Sequence, residues 1–204
     1  MNKSTSVYID HAASPVPQEK RKRNGQATKE AILEAGLRAF CEHGYDGVGL
    51  REIATTAGVT AVLVNRYYGT KEDLFSAAVD VAFGGDNPFS GDIETLASRF
   101  AKLLVSKTHQ RDGAPDGLLL LLRSAANPRA AEILKTAVEK SFAAPLRSSL
   151  AGEGADLRAA LFLTQVAGFQ LMSQVIRLDA LNKAGARRLS TLLTGMFEQL
   201  LVGN

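Results

Sequence analysis

The chain has 204 residues, of which 46% are hydrophobic and 22% are charged, and its net charge is +3. This balance is typical of an ordinary globular protein with a sizeable core in one or two domains. The single Cys41 excludes an intramolecular disulfide and is expected to be a buried thiol in a reducing compartment. His11, His43 and His109 are scattered without an i, i+4 partner, so the sequence predicts no metal site and no cofactor.

The N-terminal segment is polar and basic. Its first twenty residues lack the apolar core of a signal peptide, and no apolar run approaches the roughly 18 residues of a membrane span. We therefore expect a cytoplasmic protein without a membrane partner. Residues 1–24 are aperiodic, which predicts a flexible basic arm. Its densest run of charge, Lys20 to Arg23, suits either a solubilising tail or a polyphosphate partner.

Four helices are predicted in the first part of the chain. Thr28 can cap the first helix, which ends at Gly44. A second short helix stops at Gly58, and a third follows directly. Thr70 with Asp73 resembles a capping box and predicts the start of a fourth helix.

The rest of the chain also has helical periodicity. Residues 84–91 form a glycine-rich break, Asn127 is a candidate N-cap, and Pro145 is expected to kink or end a helix. No useful strand-like alternation occurs, so the sequence predicts an all-α fold. Further helices are predicted near residues 92–107 and 116–126, from Asn127 onwards, and near 155–177 and 185–202.

Residues 50–68 fit two helices joined by a turn at Gly58. Val59, Val64 and Tyr68 are predicted to face inward at helical spacing. This pattern predicts a helix-turn-helix, whose second helix presents its N-terminal residues to the DNA major groove. The residues left on or near the outer face are Thr60, Ala61, Val62, Asn65 and Arg66.

The segment "ATKEAILEAGLRAFCEHGYDGVGLREIATTAGVTAVLVNRYYGTKEDLF" resembles the N-terminal DNA-binding domain of TetR-type transcriptional repressors. The matching residues include His43-Gly44-Tyr45, Ala57-Gly58-Val59 and Tyr67-Tyr68-Gly69-Thr70-Lys71. The resemblance implies an all-α homodimer, with a three-helix helix-turn-helix DNA-binding domain over residues 25–70. A larger C-terminal helical domain, residues 71–204, would bind an effector and form the dimer through its last two helices.

Several side chains are candidate DNA contacts, and some keep an alternative role. Arg51 matches a family position that can reach a base edge, with a phosphate contact or plain surface exposure equally open. Val62 suits a thymine methyl or packing between helices. Asn65 replaces the family's common tyrosine and can read adenine or reach a phosphate. The set is Thr28, Arg51, Thr60, Ala61, Val62, Asn65, Arg66, Tyr67 and Lys71, the last three as phosphate contacts.

Two further sets are predicted in the C-terminal part. An apolar effector pocket could be lined by Phe100, Leu104, Leu119, Arg123, Phe142, Phe162, Gln165, Phe169 and Met172, although core packing is open for each apolar member. An apolar stripe on the last helix predicts a dimer seam, with intramolecular core as the alternative. The dimer set is Ala160, Ala167, Leu189, Leu193, Met196, Phe197 and Leu200.

The sequence thus favours a TetR-type one-component regulator, interpreted as a repressor that binds a pseudo-palindromic operator and is released by a small, largely apolar effector. The alternative is a helical ligand-binding or adaptor protein with a non-functional DNA-binding head. No glycine-rich phosphate loop and no nucleophile elbow are present, so an enzyme is not expected.

Overall fold

The computed structural model describes residues 18–85, 87–108 and 117–202. These residues form helices and connecting turns, and no strand occurs among them, as the sequence predicts. No helix in this part of the chain is long and apolar enough to cross a membrane. The N-terminal helices are α1 (Gln18–His43), α2 (Leu50–Thr56), α3 (Ala61–Tyr68) and α4 (Lys71–Phe83).

The C-terminal part contains longer helices and two π-helical turns. The helices are α5 (Ile93–Thr108), α6 (Gly117–Ser124), α7 (Pro128–Val138), α8 (Ala144–Ser149), α9 (Ala155–Gln170), α10 (Asp179–Asn182) and α11 (Ala186–Leu201). The π turns are Glu139–Ala143 and Leu171–Val175. The short α10 is absent from the sequence-based prediction, because four residues carry no helical periodicity.

The start of α1 corrects the sequence prediction. The helix begins at Gln18, so Thr28 lies inside it and is not an N-cap. The Thr28 hydroxyl donates to the carbonyl of Asn24 at 2.8 Å, as helix-interior threonines do. The predicted flexible arm is therefore wrong for residues 18–24, whereas residues 1–17 lie outside the described residues.

Two predicted helix signals are confirmed. The Asn127 side chain accepts hydrogen bonds from the amides of Arg129 and Ala130, with Pro128 at the start of α7. The Thr70 and Asp73 side chains form a complete capping box at the start of α4. Pro145 lies in the first turn of α8, directly after a π turn. The regular helix is therefore interrupted there, since proline offers no amide for a helical hydrogen bond.

The buried side chains form two clusters. The first joins α1 to α4 with Leu120, Ala130 and Leu134 of α6 and α7. The second joins α5, α8, α9 and α11 around Phe100 and Phe162. The four N-terminal helices, α1 to α4, are called the head below. The head shares its core with α6 and α7. The predicted domain boundary after residue 70 is based on the sequence motif and does not take this shared core into account.

Candidate nucleic-acid interface

The turn between α2 and α3 has the hydrogen bonds of a Schellman motif. The amide of Val59 donates to the carbonyl of Ala54 at 2.9 Å, and that of Gly58 donates to Thr55 at 3.1 Å. Gly58 has φ +68°, a left-handed conformation that favours glycine. This turn fixes the angle between the two helices, and residues 50–68 therefore form the predicted helix-turn-helix.

The inner side of α3 is fixed to the rest of the head. Val64 is buried in the first cluster, with Val59 packed beside it. The Tyr68 hydroxyl donates to the carbonyl of Lys29 in α1 at 2.9 Å. Burial raises the pKa of Tyr68, with a smaller contribution from the nearby Glu30 carboxylate. The phenol therefore stays protonated as a donor, and α3 is held against α1.

The outer side of α3 is open to solvent. Val62 is 75% exposed, so it does not pack between helices, which was the alternative to a DNA contact. Asn65 and Arg66 are exposed, whereas Ala61 is half-buried. Thr60 is the N-cap of α3, yet its side chain makes no capping hydrogen bond. The first turn of α3 therefore offers a hydroxyl, an apolar side chain and, further along, an amide and a guanidinium to a groove.

Three predicted contacts lie around this surface. Arg51 is exposed in the first turn of α2. Tyr67 is half-buried, and its hydroxyl lies against Gly25 of α1. A Cβ built on Gly25 would lie 3.3 Å from the Tyr67 hydroxyl oxygen. The Lys71 ammonium lies 4.6 Å from the centre of the Tyr45 ring, a cation–π geometry. Lys71 therefore has a structural partner, and its phosphate contact remains a prediction.

The N-terminus of α4 is capped by the side chain of Asp73 in its own first turn. Asp73 accepts hydrogen bonds from the Thr70 amide at 2.9 Å and from the Thr70 hydroxyl at 2.6 Å. These two bonds, the hydroxyl first, hold the pKa of Asp73 below its usual value. The ionised carboxylate thus brings a negative charge to the N-terminus of α4, which lowers the attraction of this end for a phosphate.

Three predicted effector residues are interior core. Phe100, Leu104 and Phe162 are buried, and the rings of Phe100 and Phe162 meet edge to face at 5.2 Å. Phe162 also lies 4.6 Å from the ring of Phe197 in α11. These contacts fill the second cluster, so the three residues take the alternative of core packing. Their contact with an effector stays a prediction.

The remaining predicted effector residues are dispersed. Phe142 and Phe169 are half-buried beside the second cluster, Leu119 is half-buried in α6, and Met172 is exposed. Gln165 is half-buried with an unpaired oxygen. The Arg123 guanidinium donates to the Cys41 carbonyl at the end of α1, so it has a structural partner. Its contact with an effector stays a prediction.

The predicted dimer stripe lies on two different faces. Leu189, Leu193 and Phe197 are buried within the protomer against α5 and α9, so they are corrected to intramolecular core. Leu200 is half-buried beside them. Met196 is exposed on the opposite side of α11, and Ala160 and Ala167 are exposed on α9. The last three remain accessible to a second copy.

A polar junction joins the head to α6 and α7, and sequence reasoning missed it. The Tyr45 amide donates to the buried Ser124 hydroxyl at 3.0 Å, and Asn127 donates to Asp46 at 2.9 Å. The remaining contacts of the junction are Arg123 with the Cys41 carbonyl and Arg129 with Glu72. No local signal reveals these pairs, because each joins residues far apart in sequence.

An open polar groove lies between α5 and α11. Its volume is about 470 Å³, and Lys102 of α5 and Glu198 of α11 stand among its lining residues. None of the predicted effector residues lines this groove.

Comparison with known proteins agrees with this architecture. A family model described as the C-terminal domain of tetracyclin repressor-like proteins matches residues 94–201, and one for bacterial regulatory proteins of the tetR family matches residues 32–78. RaaS, a transcriptional regulatory protein of Mycobacterium tuberculosis, is 48% identical over 59 residues, which cover 28% of this chain and 27% of RaaS. The sequence match thus spans about a quarter of that relative.

Solved structures share the fold over most of the chain. NalD, the secondary repressor of the MexAB-OprM efflux pump in Pseudomonas aeruginosa, gives a TM-score of 0.63 at 18% identity, covering 89% of this chain and 98% of NalD. The multidrug-binding protein EbrR in complex with ethidium gives 0.62 at 17% identity, covering 86% and 99%.

A helix-turn-helix head on a helical C-terminal domain defines a DNA-binding transcription regulator rather than an enzyme. With a family model that matches more than half of its length, the chain belongs to the TetR family.

Proposed function

We propose that this regulator is a repressor that binds a pseudo-palindromic operator as a dimer in the cytoplasm. The observation that carries the proposal is Val62, an apolar side chain 75% exposed at the start of a helix whose opposite side is anchored. Such a side chain can contact a thymine methyl, while Thr60, Asn65 and Arg66 can bind base edges or phosphates around it.

A dimer interface on α9 and α11 is part of the proposal. Leu157 and Leu161 of α9 are exposed, as are Leu192 and Met196 of α11. The two helices pack against each other, so both apolar pairs belong to one unit of the protomer. Covering this surface with a second copy would remove the exposed leucines from water and would place two heads for successive half-sites.

Release by a small, largely apolar effector completes the proposal. EbrR, a protein of the same fold, has been solved with ethidium, and NalD is named a repressor. In this chain, α4 packs on α1 of the head and on α6 and α7 beyond it. A ligand that shifts α6 or α7 would therefore shift the head, and DNA would weaken ligand binding by the same factor.

The test uses fluorescence anisotropy with labelled DNA from the region upstream of the protein's own gene. Val62→Ser should weaken operator binding about tenfold or less, because one apolar base contact is lost. Val81→Ser is the matched control, since Val81 is also exposed, at 52%, but lies near the far end of α4. Equal affinities of the two variants would contradict the assignment of α3.

Arg51→Ala and Arg66→Ala separate base reading from phosphate binding. If Arg51 binds a base edge, its loss should cost about 1–3 kcal/mol on the matched operator and relax preference at one position. Loss of Arg66 should weaken all sequences alike and lower the salt slope by about one unit. A wild-type protein without salt-dependent operator binding would favour the alternative, an adaptor with a non-functional head.

A further inference from the structure

Two serines are buried to the same extent but differ in their hydrogen bonding. Ser124 and Ser173 are each 1% exposed, and no other polar residue in the described part of the chain is buried. The Ser124 hydroxyl accepts the Tyr45 amide at 3.0 Å. The Ser173 hydroxyl finds no partner among the described residues. An unpaired buried hydroxyl costs stability, so its presence requires an explanation.

Helix geometry does not explain Ser173. Hydroxyls within helices commonly donate to the carbonyl four residues earlier, as Thr164 does to Ala160 and Thr194 does to Ser190, both at 2.8 Å. Ser173 lies in the π turn Leu171–Val175, where the backbone bond pattern is wider and this local acceptor is not used. The hydroxyl is therefore available to a group from outside the helix.

Two glutamines on the same segment share this property. The Gln165 Oε1 and the Gln174 Nε2 are buried and unpaired within the described residues. Gln165, Phe169 and Ser173 follow at steps of four, so they share one side of the segment, and Phe169 packs against the second cluster. The Gln165 acceptor thus lies about two turns, roughly 12 Å along the axis, from the Ser173 hydroxyl, with the Phe169 ring between them.

The backbone at this segment is also unusual. The Ile176 amide donates to the Leu171 carbonyl at 2.9 Å, five residues earlier. Arg177 directly follows with φ +58°, the one non-glycine residue with positive φ in the described chain. π turns and strained residues are concentrated at functional sites in proteins. Arg158 Nε is unpaired as well, but its other nitrogens donate to Ala151, Leu200 and Leu201, so Arg158 has a structural role.

We propose that Gln165 and Ser173 are the hydrogen-bonding residues of the effector site. The effector is an uncharged, elongated molecule with an apolar middle that contacts Phe169. It donates a hydrogen bond to Gln165 at one end and accepts one from Ser173 at the other. This inference rests on the proposed release by an effector, and it specifies the chemistry of that molecule.

Three matched probes test the ligand class on the full chain by isothermal titration. 4-Acetyl-4′-hydroxybiphenyl carries a donor and an acceptor about as far apart as the two ends of the site. 4-Ethyl-4′-methylbiphenyl has the same shape without polar groups, and 4′-hydroxybiphenyl-4-carboxylate is charged. The first should bind about tenfold or more tightly than the apolar biphenyl, which makes none of these hydrogen bonds. It should exceed the carboxylate by a similar factor, because the carboxylate must lose its hydration to enter a buried site. Equal binding of the first two probes, or tightest binding of the carboxylate, would overturn the proposal.

Variants then assign the preference to residues. Gln165→Leu and Ser173→Ala should each weaken binding of the hydroxy ketone several-fold and leave the apolar biphenyl unchanged. Ser173→Ala should keep or raise the melting temperature, whereas Ser124→Ala, the matched control, should lower it by several degrees because the Tyr45 amide loses its acceptor. A drop with Ser173→Ala as large as with Ser124→Ala would show that the Ser173 hydroxyl is structural and would refute its role.

Operator binding separates this inference from the proposed function. Without a probe, Gln165→Leu and Ser173→Ala should bind operator DNA like the wild type. If the hydroxy ketone binds selectively but leaves the operator complex intact, the assigned site is supported and the proposed release by an effector is contradicted. If all probes release the operator without selectivity, the proposed release is supported and the assigned site is contradicted.

Discussion

The head and the C-terminal domain both have aromatic cores, but they treat polar groups differently. In the head, Phe75 lies 5.0 Å from the rings of both Phe40 and Tyr45, and Asp73 accepts hydrogen bonds from Thr70. Where the head meets α6, the buried Ser124 hydroxyl accepts the Tyr45 amide. In the C-terminal domain, the rings of Phe100, Phe162 and Phe197 are as close. Ser173, in the π turn that follows α9, is nevertheless buried without a partner among the described residues.

This difference in hydrogen bonding fits the function proposed for each part. DNA recognition needs side chains held at fixed positions, and the hydrogen-bonded groups described for the head hold them there. Binding of a small molecule needs groups that remain unpaired until the ligand arrives, and π turns offer such groups at some cost in stability. Substitutions in the head are therefore expected to change folding and DNA affinity, whereas substitutions at the unpaired groups of the C-terminal domain are expected to change ligand affinity rather than folding.

The largest expected effect concerns the two faces of α11. Replacing both Leu193 and Phe197 with Glu places two carboxylates in the second cluster, where each costs several kcal/mol. The C-terminal domain should unfold, with loss of helical circular dichroism. Replacing Leu192 and Met196 with Glu changes exposed side chains instead, so the protein should remain helical and sediment as a monomer. A folded Leu193/Phe197 variant, or a dimeric Leu192/Met196 variant, would contradict this division.

A smaller effect is expected at two glycines of the head. Gly44 has φ +74°, and an added Cβ would overlap the carbonyl of Arg123, whereas Gly58 has φ +68° with open space around it. Gly58→Ala should cost about 1–2 kcal/mol for the left-handed conformation alone. Gly44→Ala should cost more, because α6 must also move away from α1. Urea unfolding measures the free energy of unfolding of both variants. Equal losses would show that α6 moves away from Gly44 at no cost in stability.

The helix-turn-helix and the start of α4 were predictable because their signals are local. The Gly58 turn and the Thr70 capping box each depend on residues a few positions apart, so periodicity and turn chemistry suffice. The junction was not, because Ser124 meets Tyr45 across 79 positions. Periodicity identifies an apolar face of a helix but not the element that packs against it. Leu192 and Leu193 are adjacent leucines, yet Leu192 is exposed and Leu193 is buried.

The smallest expected effect compares two threonine N-caps, Thr70 of α4 and Thr60 of α3. The Thr70 hydroxyl lowers the pKa of Asp73, so the stability from the ionised carboxylate is present above the ordinary aspartate pKa and is lost as pH falls through the lowered value. Thr70→Val should raise the pKa of Asp73 towards its ordinary value in a carboxyl-carbon NMR titration and should reduce stability at neutral pH. An unchanged titration would show that the amide bond of Thr70 alone holds the carboxylate.

Thr60→Val is the control for this change. The Thr60 side chain makes no capping bond, so its removal should leave stability and the titration of Asp73 unchanged. It should instead weaken operator binding, since the hydroxyl at the start of α3 is free to donate to a phosphate or a base. Both threonines are N-cap residues, but only the Thr70 side chain makes a capping hydrogen bond. Substitution of Thr70 should therefore change stability, and substitution of Thr60 should change DNA affinity. Loss of stability with Thr60→Val, or of DNA affinity alone with Thr70→Val, would reverse that assignment.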